Sequence, residues 1–106
     1  MAVQVDIIHT ADCQSWEKTA YLIYDVLTAL GLEGEFNYWL VESEEQAVEW
    51  GFIGSPTVLI DGVDPFRPPD VEPGLRLRSY FSPEQGMVPH PTYEMIYNVL
   101  LRYVVD

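Results

Sequence analysis

Between residues 2 and 42 the hydrophobic period changes twice, and that change constrains the chain more than any other feature. Residues 2–9, Ala-Val-Gln-Val-Asp-Ile-Ile-His, alternate and are rich in β-branched side chains, so Val3, Val5 and Ile7 share one face of a strand. Residues 13–30 then place Trp16, Ala20, Ile23, Leu27 and Leu30 at steps of four and three, the spacing of one helix face. Asp12 suits the helix N-cap and Gly31 the stop. Residues 35–42, Glu-Phe-Asn-Tyr-Trp-Leu-Val-Glu, return to a strand. Strand, helix and strand in this order predict a parallel, right-handed βαβ unit.

The remainder reads more sparsely. Ser43-Glu44-Glu45-Gln46 is a capping box that opens a short second helix ending at Gly51. Thr57-Val58-Leu59-Ile60 is an apolar third strand, and Asp61-Gly62 a turn. Residues 63–91 hold seven of the eight prolines, and within them only 74–81 reads as a strand, the fourth. Pro91 can begin a last helix, with Tyr93, Ile96, Tyr97, Leu100, Leu101 and Val104 as its apolar face. The reading is one α/β domain over residues 1–106, ordered βαβαββα, with a four-stranded mixed sheet flanked by helices and a Pro-rich irregular segment in 63–91.

Charge and cysteine count exclude several classes of function. Five Lys and Arg stand against 17 Asp and Glu, a formal charge of −12. Such a surface repels phosphate backbones and anionic headgroups, so neither nucleic acid nor a membrane is an expected partner. No apolar run approaches the roughly 20 residues that span a bilayer, and the first residues read as a strand rather than a secretory signal. Arg67, Arg76 and Arg78 form the one local basic patch. Cys13 is the single cysteine, which rules out an internal disulfide and a Cys-rich metal site, and makes cytoplasmic residence the default. Two histidines and one cysteine, far apart, give no metal set.

The order βαβαββα, with Cys13 at the start of the first helix and Pro56 just before the third strand, resembles the thioredoxin superfamily. Cys13-Gln14-Ser15-Trp16 stands where that family keeps Cys-x-x-Cys, and Gly54-Ser55-Pro56-Thr57-Val58 looks like its cis-proline loop. With Asp61-Gly62-Val63-Asp64-Pro65-Phe66, the loop looks more specifically like a group of small bacterial thioredoxin-like proteins, the DF-family (seleno)proteins, some of which carry alkylmercury lyase names. The resemblance covers residues 3–81 and departs from the pattern in three places. Trp16 replaces the resolving cysteine, Gln14 a common proline, and Leu77 the approximate place of a cysteine frequent in the small subgroup. Cleavage of a carbon–mercury bond would need more than the one thiolate present.

The resemblance implies a site made of Cys13, Ser55 and Pro56, with Ser55 lending its backbone to an extended substrate. His9 and Trp16 are the neighbours expected to line it. A thiol at a helix N-terminus faces free amides and the positive end of the dipole, which favour the nucleophilic thiolate, whereas Asp12 and the net charge oppose it. A monothiol redox protein would attack a disulfide or peroxide through Cys13 and rely on an external thiol, such as glutathione or a protein, to resolve the product. No resident cofactor is implied. The competing readings are a non-catalytic binding module that uses the Pro- and Arg-rich segment 63–91 or an exposed sheet edge, and a homodimer formed through the aromatic last helix.

Overall fold

The computed structural model describes residues 2–104. Its elements run β1 (Val3–His9), α1 (Trp16–Leu30), β2 (Gly34–Leu40), α2 (Glu44–Trp50), β3 (Thr57–Ile60), β4 (Tyr80–Ser82), β5 (Gly86–Val88) and α3 (Tyr93–Leu100), with a 3₁₀ turn at Leu101–Tyr103. β1 lies at the centre of a three-stranded sheet ordered β2-β1-β3. It pairs in parallel with β2, from Val3 opposite Gly34 to His9 opposite Leu40, and antiparallel with β3, from Val5 opposite Ile60 to Ile8 opposite Thr57.

Alternation along β1 sorts the core into two layers. Val3, Val5 and Ile7 join Val58 and Ile60 on one face and meet Ile23, Val26 and Leu27 of α1 and Ile96 and Leu100 of α3. Ile8 turns to the opposite face, where Val41, Ala47 and Phe52 surround it under α2. Helices therefore cover both faces of a small mixed sheet, the usual way a sheet with a parallel pair hides its backbone.

The sheet is smaller than the expected four strands. β4 and β5 form a separate hairpin, Tyr80 opposite Val88 and Ser82 opposite Gly86. The expected strand over 74–81 is instead a strap, whose strand-like pairing with the main fold is one parallel bridge between Ser55 and Leu77, and becomes a strand only at Tyr80. Its charged groups explain the difference. The Arg78 guanidinium turns inward to Asp64 at 2.7 Å, to the Phe66 carbonyl at 2.8 Å and over the Tyr80 ring at 4.4 Å. Arg76 donates to the Ile53 and Glu72 carbonyls. Gly54 lets this strap approach: its φ is +152°, and a Cβ there would lie 2.5 Å from Arg78 Cβ.

Local signals gave other differences. α1 begins at Trp16 rather than at Cys13, with Ser15 in the cap position. Asp12 does not cap it, because its carboxylate accepts the Thr10 hydroxyl at 2.6 Å. The buried face of α1 is Thr19, Ile23, Val26 and Leu27, so Trp16 and Ala20 sit at its margin. In α2 the Ser43 hydroxyl accepts the Gln46 N–H, as a capping box requires. Gln46 Oε1 returns to the N–H of Glu42, one residue before the cap.

Candidate functional site

The carboxyl end of β1 and the loop before β3 meet at one end of the sheet. The Thr10 N–H donates to Ser55 Oγ at 3.0 Å, and the Cys13 N–H donates to the Thr10 carbonyl at 3.3 Å. Thr10 is thus the joint that holds the Cys13 turn against the Ser55–Pro56 peptide, which is cis. The Tyr80 hydroxyl donates to the Pro56 carbonyl. Burial pushes the Tyr80 phenol well above its ordinary range, Arg78 pulls it back, and Asp64 and Cys13 push it further up.

Two features of this neighbourhood restrict thiol chemistry. Cys13 is covered, with 7% of its surface exposed, and it precedes the Ser15 cap by two residues instead of occupying the first turn of α1. The strap also takes the backbone of Ser55 on both sides: the Ser55 N–H donates to the Arg76 carbonyl at 2.8 Å, and the Arg78 N–H donates to the Ser55 carbonyl at 3.0 Å. Leu77, midway, lies opposite Ser55 and is largely exposed.

His9 and Trp16 form a pair of their own. Their rings stack at 4.2 Å with a 7° interplanar angle, and His9 Nδ1 lies 3.0 Å from the Thr10 carbonyl. Trp16 also meets the Tyr38 ring at 5.5 Å. From there an aromatic groove of about 530 Å³ runs between α1 and β2, lined by Trp16, Tyr21, Tyr24, Phe36 and Tyr38, with Glu17 and Asp25 at its margin. Tyr21 and Tyr24 are 70% and 60% exposed.

The Pro- and Arg-rich segment is not a free basic patch. Arg78 is buried against Asp64, and Arg67 donates to the Gly51 carbonyl. Asp6, on the face of α2, accepts the Trp39 indole N–H at 2.9 Å. Among the described residues no three His, Cys, Asp or Glu side chains gather as a metal set, and no helix is long and apolar enough to cross a membrane. Hydrophobic patterning offers no signal for Thr10 and only a less regular inward position for Tyr80; the roles of both come from polar contacts across 45 and 24 residues of chain. The tyrosines at 21 and 24 show as a departure from the expected apolar stripe. No family model matches the chain, and neither a curated protein nor a solved structure matches it.

Proposed function

We propose that this chain is a thioredoxin-like binding module in which Cys13 is a packed side chain rather than a nucleophile. The βαβ unit, the antiparallel strand behind a cis Ser55–Pro56 peptide and the helices on both faces support the fold reading. The functional reading is carried by one observation: Arg76 and Arg78 occupy both backbone groups of Ser55. An extended substrate would need those groups to lie beside the thiol. The contact surface of the module is then the aromatic groove of α1 and β2, not residues 63–91.

A second reading is favoured by the Thr10 joint, which keeps the Cys13 turn beside Ser55 and Pro56. In it the strap lifts away, the Cys13 thiolate attacks a disulfide and expels one thiolate, and an external thiol such as glutathione reduces the mixed disulfide.

Iodoacetamide alkylation separates the two. For the module, the folded chain reacts about a hundredfold or more slower than the chain in denaturant, because a buried thiol reacts only through opening. A folded rate equal to or above the denatured one overturns the module and favours the monothiol.

A further inference from the structure

We infer that β2 is a self-association edge, through which two copies of this chain join into one continuous six-stranded sheet. The inference deepens the binding-module reading and rests on it for taking this face as the working surface.

β2 is an outer strand of the sheet. The Glu33 carbonyl accepts the Val3 N–H, and the Val41 N–H donates to the His9 carbonyl, so odd-numbered residues address β1. Strand alternation then turns the N–H and C=O of Gly34, Phe36, Tyr38 and Leu40 to the open side. Exposed strand edges are normally blunted by lysine, proline, bulges or inward charges. Residues 34–40, Gly-Glu-Phe-Asn-Tyr-Trp-Leu, contain no lysine and no proline, and they keep an unbroken register with β1 over all seven residues. Tyr38 and Trp39 are each 49% exposed and point to opposite faces, so one face beside the edge is aromatic through Phe36 and Tyr38 and the other carries the Trp39 indole beside Glu35 and Asn37.

The strand is also complementary to itself. A twofold axis through Asn37, the middle residue, pairs all of β2 antiparallel with a second β2. Phe36 then exchanges backbone bonds with Tyr38 of the second copy, and Gly34 with Leu40. Glu35, the one charged residue of the strand, lies opposite Trp39. Aromatic cross-strand pairs stabilise such ladders and like charges directly opposite weaken them. Centring the axis on Glu35 would oppose two carboxylates. In the Asn37 register the aromatic groove beside Phe36 and Tyr38 faces its own copy across the axis, where Tyr21 and Tyr24 of each α1 cover it.

Sedimentation equilibrium of the full chain at micromolar concentration tests this. The expected particle has twice the 12.1 kDa chain mass. Each copy carries −12, so screening strengthens the dimer as salt rises, whereas a basic partner would be released by salt. Tyr38→Lys puts a charge on the edge, and Tyr38→Pro removes an outward N–H without touching the β1 ladder. Each variant, shown to be folded by circular dichroism, should weaken association by about tenfold or more. Tyr93→Lys on α3 should leave it unchanged. A monomer at every salt concentration, or a dimer indifferent to both Tyr38 variants and broken by Tyr93→Lys, overturns the edge. Slow alkylation of Cys13 in that monomer would leave the module reading standing.

Discussion

Tyr80 joins three parts of the chain through one side chain. Its hydroxyl reaches the Pro56 carbonyl, and its ring meets Phe66 edge-on at 5.8 Å and carries the Arg78 guanidinium. A folded-state pKa raised above the ordinary value of about 10 makes folding favour the neutral phenol. Above pH about 10 the unfolded state loses this proton while the folded state retains it, so the unfolded chain binds fewer protons and stability falls as pH rises. Urea denaturation between about pH 9 and 11 should therefore show a decline for the native sequence and a shallower one for Tyr80→Phe. Equal slopes would mean that the phenol is not held neutral by the fold. The Phe variant also removes the donor to Pro56, which costs about 1–3 kcal/mol at every pH if that buried carbonyl is left unpaired.

The strap over residues 74–78 behaves as an element although it is neither helix nor strand. Its position depends on charge, since Arg78 and Asp64 are both buried and form the only ion pair among the described residues. Removing one member of such a pair leaves the other buried alone and costs about 3–5 kcal/mol. Arg78→Met should show that loss as a lower urea midpoint. Because the Arg78 side chain anchors the strap whose backbone N–H at position 78 bonds the Ser55 carbonyl, its loss should loosen that strap and speed Cys13 alkylation in the folded chain. Unchanged alkylation with lowered stability would separate the strap from the cover of the thiol. The start of α1 follows the same logic. Thr19 sends both its N–H and its hydroxyl to the Ser15 carbonyl, and Asp12 is held by Thr10, so the helix begins three residues later than an Asp12 cap implies.

At the scale of the molecule, two core layers and one charge imbalance set the behaviour. The radius of gyration, 13.4 Å, matches the roughly 13 Å of a compact domain of about 100 residues. Helices α1 and α3 share the larger core and α2 closes the smaller, with β1 supplying side chains to both. Unfolding should thus remove both layers together. Against this, 17 carboxylates face five Lys and Arg, one of which is consumed by Asp64. Self-repulsion of that size is reduced by salt. At fixed protein concentration the thermal midpoint should rise between about 20 mM and 0.5 M sodium chloride, since the Debye length contracts to well under 10 Å. A falling midpoint would show that surface attraction, not repulsion, dominates.

The sequence by itself determined what depends on near neighbours. Alternation at Val3, Val5 and Ile7 set the buried face of β1, Gly31 and Gly51 ended two helices in the left-handed region, and Ser43 capped α2. These are contests between a residue and its immediate chain, which periodicity and capping rules describe. Tertiary structure decided the rest. Whether Cys13 stood on the helix or before it depended on Thr10 and Asp12, whether 74–81 paired as a strand depended on Arg78 finding Asp64, and whether Ser55 was open depended on Arg76. Each outcome was fixed by a polar group meeting a partner from another part of the chain, and the energy of that meeting is absent from any local pattern.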